Sequence, residues 1–230
     1  LRVNNGQIIC ANPSQHRVLE MDTPMEEPRP FRVVWTLGNS GAGKTMAANR
    51  ARPNMPPMAC VVVKAKENNP CFPLGGKWNL PYRLGDRVAE LGVFDPKRTK
   101  DNTLSWGTDQ YTCIERPLLK HLLAYLKNEG VRIVFLEGVG VINKPLLDAI
   151  NALGILHIIH ITTPREVCWP RFVQRQTIQL ELKHIKYRLP RDKWEKVCDK
   201  VDMVLSAADT VVQCIDDEAP ALIVEALHDM

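Results

Sequence analysis

Several kinds of signal are missing from this 230-residue chain, and each absence removes a class of protein. The longest apolar runs, such as Ile155 to Ile161 and Val131 to Leu136 with one arginine inside, fall far short of the roughly 20 residues needed to span a bilayer. No charged leader followed by an apolar segment and a small-residue cleavage site opens the chain. The expectation is a soluble protein of the cytoplasm, the host's if the chain is viral, with no membrane partner. Seven cysteines, at 10, 60, 71, 113, 168, 198 and 214, include no Cys-x-x-Cys pair. Their odd number and wide scatter give no support to a disulfide framework or a zinc site, and reduced thiols are expected. Internal repeats and low-complexity tracts are also missing. With 45% hydrophobic and 24% charged residues the composition is that of a folded chain, which excludes disorder throughout.

The formal charge of +4 is too small to name a partner, but its distribution is uneven. Residues 171–200 hold nine Lys/Arg against four Asp/Glu, whereas residues 201–230 hold seven acidic residues and no Lys/Arg. Such a basic strip beside an acidic tail fits either a local anion site or an ordinary solvated helix face.

Residues 1–30 read as an N-terminal appendage and linker: Asn5-Gly6 is a hairpin turn signal, and 23–30 carries three prolines. From Phe31 to the end, strand and helix patterns alternate in one domain. Strands are expected at 31–37, 59–64, 131–136, 155–161 and 210–215, with 87–94 a further short strand or edge element. Helices are expected at 108–129, 143–153, 164–182, 190–199 and from 219 onward. Pro117 would bend the first of these or mark its true start. Continuous apolar strands separated by helices predict an α/β fold, a three-layer sandwich whose parallel sheet is covered on both faces.

The chemistry is carried by Gly38-Asn39-Ser40-Gly41-Ala42-Gly43-Lys44-Thr45, a glycine, four residues, then Gly-Lys-Thr. It follows an apolar strand and opens a helix, the context in which such a loop cradles phosphates. Glycines let successive N–H groups turn inward, and the helix N-terminus adds positive partial charge. Lys44 would supply a point charge to the β and γ phosphates of ATP, and Thr45 a hydroxyl to Mg²⁺. Glu137 closes the strand 131–136 and so lies at the carboxyl edge of the sheet. It could hold Mg²⁺ or take a proton from an acceptor hydroxyl. Glu67, just after the second strand, is a reserve candidate for the base.

Glu137-Gly138-Val139-Gly140-Val141, then Thr163-Pro164-Arg165-Glu166, then Arg171 and Arg175 resemble the nucleoside monophosphate kinase superfamily, adenylate kinase included. The resemblance implies that Arg171 and Arg175, four apart on one helix face, bind migrating phosphates. Val141 departs from the pattern, standing where that family has an arginine for the acceptor monophosphate. No long lid follows Arg175, although Lys183, Lys186, Arg188 and Arg191 could form a shorter cationic cover. A second, narrower likeness lies at Leu91-Gly92-Val93-Phe94-Asp95 and Asp101-Asn102-Thr103-Leu104-Ser105, which resemble a segment of phage-type P-loop kinases, including 5-hydroxymethyluracil DNA kinases. It implies that Asp101 sits near the acceptor as base or outer ligand; a capping aspartate is the plain alternative.

Two weaker groupings remain. Trp78, Tyr82, Trp106 and Tyr111 lie near Lys77, Arg83, Arg87, Lys97, Arg98 and Lys100, either stacking bases or packing a core. His157 and His160 alternate on an apolar strand and are expected as satisfied core histidines. Together the residues describe a Mg²⁺-dependent ATP phosphotransferase acting on a nucleotide or nucleic-acid hydroxyl. A free nucleoside monophosphate kinase and an NTP-driven motor or packaging subunit are the alternatives.

Overall fold

The computed structural model describes residues 3–4, 7–8, 30–65, 78–92, 108, 111–182 and 187–228. Near the N-terminus, β1 (Val3–Asn4) and β2 (Gln7–Ile8) pair antiparallel, with Val3 opposite Ile8. This pairing agrees with the hairpin expected in the segment, whose turn residues Asn5 and Gly6 lie outside the described residues.

The main sheet has seven strands: β3 (Arg32–Gly38), β4 (Ala59–Ala65), β5 (Trp78–Leu84), β6 (Val88–Leu91), β7 (Ile133–Glu137), β8 (Ile155–Ile161) and β9 (Thr210–Cys214). Their spatial order is β4-β5-β6-β7-β3-β8-β9. Strands β6, β7, β3, β8 and β9 are mutually parallel, whereas β4 and β5 form an antiparallel hairpin appended beside β6. The sheet is therefore mixed where a parallel one was expected. The apolar run 59–65 sits at its edge, and 88–91 is an interior strand. Strand β5 is hard to read in the sequence because Pro81 interrupts it. Pro81 lies beyond the last β5–β6 pair, Tyr82 with Leu91, so it has no partner on β6.

Helices α1 (Lys44–Ala51), α2 (Leu119–Asn128), α3 (Lys144–Leu153), α4 (Arg165–Glu181), α5 (Arg191–Leu205) and α6 (Ala219–His228) cover the two faces. Alternation along β3 divides the core. Val33, Trp35 and Leu37 pack with the leucines of α2 and α3, while Val34 packs with Ala47, Ala48 and Ala51 of α1 and with Ile223 and Leu227 of α6. Helix α5 feeds both layers, Trp194 and Cys198 to one and Val201 and Val204 to the other. Residues 33–37 have no solvent exposure at all, as a strand covered on both sides requires.

The helix ends follow local chemistry. Pro117 falls in a 3-10 turn, Arg116–Leu118, and marks the true start of α2 rather than a bend. Asn143 caps α3, its side-chain oxygen accepting from the Leu146 amide at 2.9 Å. Gly154 caps the end of α3, and only glycine fits there, because a Cβ would lie 1.9 Å from the Phe31 carbonyl oxygen.

The appended hairpin is tied to the body by charge. Glu90 on β6, with only 2% of its side chain exposed, accepts from Arg52 Nε at 2.9 Å and from Arg83 Nη1 at 2.8 Å. Removing the central carboxylate would leave two largely buried guanidinium groups without their shared counter-charge. Glu90→Ala is expected to lower unfolding free energy by about 3–5 kcal/mol, read by urea denaturation.

Candidate functional site

The loop Gly38–Thr45 leaves β3 where the strand order reverses, with β7 on one side and β8 on the other. Ligands of open α/β sheets collect in the crevice at such a point, outside the carboxyl ends of the strands. Gly41 and Gly43 have φ of 102° and 96°, in the left-handed region that glycine tolerates. A Cβ on Gly41 would stand 2.3 Å from the Cys168 carbonyl oxygen, so the loop rests directly on the start of α4. Gly43 is the N-cap of α1 and offers no side-chain cap, which leaves the first amides of the helix available to an anion. Three further bonds fix the curl: the Ala42 amide donates to the Asn39 carbonyl (2.9 Å), Thr163 Oγ1 to the Ala42 carbonyl (3.2 Å), and Trp194 Nε1 to the Ser40 carbonyl (3.1 Å).

Lys44 and Thr45 open α1. The Lys44 ammonium donates to the Gly38 and Asn39 carbonyls, both at 2.9 Å, and so bridges the loop from the inside with 7% of the residue exposed. Thr45 Oγ1 donates to Glu137 Oε1 at 2.7 Å. Strand alternation explains that bond: Ile133 and Phe135 face the α1 layer, and Glu137 shares their parity. Gly138, with φ of 121°, then turns the chain, and its carbonyl accepts from Trp35 Nε1 at 2.9 Å. The Glu137 carbonyl accepts from the Thr108 hydroxyl. A buried carboxylate and a hydroxyl, side by side at a helix N-terminus, form the all-oxygen donor set that suits a hard cation such as Mg²⁺.

The arginines divide. Both are exposed on one face of α4, but Arg171 reaches back to Asp216 on the β9–α6 loop at 3.4 Å. Asp216 in turn borders the phosphate loop, 3.2 Å from where a Cβ on Gly43 would be. Arg171 therefore flanks the loop. Arg175 lies a helical turn farther along, its guanidinium 5.4 Å from the centre of the Phe172 ring. Asp101 and Glu67 lie outside the described residues, as do Lys183 and Lys186. Val141, 1% exposed, belongs to the core on the α2 and α3 side.

Other groups resolve in favour of packing. Tyr82 and Tyr111 are buried, and the Tyr111 hydroxyl donates to the Pro81 carbonyl, so neither offers a free stacking face. The Trp78 side chain and Trp106 lie outside the described residues. His157 Nδ1 meets Thr210 Oγ1 at 2.6 Å, but the residue is only part-buried and the contact lies at the solvent side, so it is satisfied without belonging to the core. His160 departs from expectation, since its buried Nδ1 has no hydrogen-bond partner among the described residues. Burial pushes its pKa down, so it stays neutral at pH 7. The Cys168 thiol, beneath Gly41, is pushed up to about 11 by burial and is unreactive. Among the described residues no group of three His, Cys, Asp or Glu could hold a metal, and no helix is long and apolar enough to cross a membrane. Part of the basic strip is neutralised internally, Arg171 by Asp216 and Arg191 by Glu195.

Trp194, Thr108 and Asp216 join the site from more than 25 positions away, and no local pattern marks them; Thr163 stands in the Thr-Pro-Arg-Glu segment, where the sequence gives it no role of its own. The one available hint was the acidic tail, which contains Asp216.

No known protein-family model matches the chain, and no curated protein does. Among solved structures, shikimate kinase from Bacteroides thetaiotaomicron is similar at 14% identity and a TM-score of 0.39, covering 86% of this chain and 98% of its own. Shikimate kinase from Aquifex aeolicus is similar at 15% identity and the same TM-score, covering 85% of this chain and 95% of its own. At that level of superposition, the assignment to the α/β P-loop fold stands on the strand order and the phosphate loop themselves.

Proposed function

We propose that this chain is a Mg²⁺-dependent ATP phosphotransferase whose acceptor is a hydroxyl on a nucleotide or nucleic acid, with 5-hydroxymethyluracil in DNA as the specific candidate. The observation that carries the proposal is the junction of Lys44, Thr45 and Glu137 at the mouth of the loop. In this reading the loop amides and the first turn of α1 bind the β and γ phosphates. The Lys44 ammonium exchanges its two carbonyl partners for phosphate oxygens. Thr45 and Glu137 would hold Mg²⁺, which when bound neutralises charge on the phosphate chain.

The Glu137 carboxylate is already engaged by Thr45, which favours a metal-holding role and leaves the acceptor proton to Asp101. The acceptor oxygen forms its bond to the γ phosphorus as the bond from that phosphorus to the bridging oxygen breaks, and ADP departs. Arg171 flanks the loop, and Arg175 would swing from Phe172 to meet the moving charge. Burial of Val141 supports a hydroxyl acceptor over a free monophosphate, because the arginine that would grip that monophosphate is replaced by a core side chain. The segments about Leu91 and Asp101 support the DNA version through their likeness to phage kinases.

Transfer of label from γ-labelled ATP tests the acceptor directly. Label is expected in hydroxymethyluracil-containing DNA, with activity falling steeply as salt rises. Label in free nucleoside diphosphate would select the monophosphate kinase, and label in inorganic phosphate alone, from a ring-shaped oligomer, the motor. Arg175→Ala is expected to lower kcat/KM by about 10³-fold, and a loss under about tenfold would leave that side chain a surface group.

A further inference from the structure

We infer that Thr36 is a positioning residue of the cation site, its hydroxyl supplying a hydrogen bond that holds the Glu137 carboxylate when a divalent ion draws on Thr45. This rests on reading Thr45 and Glu137 as the oxygens that hold the ion. Thr36 lies two residues before the loop, is wholly buried, and has no hydrogen-bond partner for Oγ1 among the described residues. A buried hydroxyl without a partner is costly, and valine of nearly the same shape would fill the site in a strand without that cost. Packing alone therefore gives no reason for a hydroxyl here.

Register supplies one. Thr36 stands directly opposite Glu137 on β7 and Ile159 on β8. The preceding odd-numbered pair on β7, Phe135, and Val34 two residues back on β3 both face the α1 layer, so Thr36 and Glu137 share that face. Neighbouring strands lie about 5 Å apart, which brings the hydroxyl within a side-chain rotation, or one water, of the carboxylate. Glu137 Oε1 accepts from Thr45 at 2.7 Å. Once the Thr45 oxygen also faces a cation, the carboxylate is pulled toward the loop mouth, and a donor rooted in the rigid central strand opposes that displacement. Outer partners of this kind orient the groups that touch a metal.

Mn²⁺ with ADP is the probe, free Mn²⁺ being read by electron paramagnetic resonance. Thr36→Val is expected to weaken Mn²⁺ binding about tenfold, while ADP affinity in EDTA stays unchanged and the melting temperature holds or rises. Thr36→Ser should restore Mn²⁺ affinity. Should the valine variant fail to fold, Thr36→Ala carries the same comparison. Unchanged Mn²⁺ affinity in the variant lacking the hydroxyl overturns the inference. So does an equal loss in the serine variant, because that points to packing. Glu137→Gln separates the two levels. If it leaves Mn²⁺ affinity untouched, the metal reading itself falls; if it weakens Mn²⁺ where Thr36→Val does not, Thr36 alone loses its role.

Discussion

The hydrogen bond from Thr45 to Glu137 joins the first turn of α1 to the last residue of β7, and much of the molecule is arranged around keeping those two ends together. It requires β3 and β7 to be neighbours, so that the loop leaving one strand passes the carboxyl end of the other. The parity of β7 must also turn Glu137 toward α1, which the apolar side chains of Ile133 and Phe135 enforce by packing on that face. Alanines on the inner side of α1 let the helix lie close to the sheet, against α6. A one-residue slip of β7 would carry the carboxylate to the opposite face.

A second constraint acts from outside the loop. Cys168, Trp194 and Thr163 each touch main-chain atoms of the loop or would meet a Cβ placed there. The loop is thus shaped by the layer of α4 and α5 as well as by its own glycines. Electrostatic preorganisation of this kind places donors before any ligand arrives, so that binding need not reorganise the backbone.

The phosphate loop was legible because its requirements are local: glycine at tight turns, then Lys and Thr at the first helical positions. Helix α2 was legible from the leucines spaced along 118–126, α3 fell within the expected 143–153, and Pro117 marked a boundary as proline does. Strand β5 was not, because Pro81 hides a strand that only tertiary pairing makes possible. The antiparallel placement of β4 was equally hidden, since an apolar run reads alike at an edge or in a centre. Within the site, Lys44, Thr45 and Glu137 came from motif and strand end. Asp216 and Trp194 depend on contacts over 45 to 154 positions in sequence, which no window of neighbours contains.

The β4–β5 hairpin joins the parallel core through three residue pairs with β6, the Glu90 ion cluster, and the side chains of Val63, Leu80 and Tyr82, which pack into the α2 and α3 side of the core. None of its paired residues lies at the crevice formed by β3, β7 and β8. It is a two-stranded antiparallel unit at one margin of the parallel sheet. A change of length at the tip of that unit would therefore leave the pairing of β7, β3 and β8, and the crevice they frame, in place.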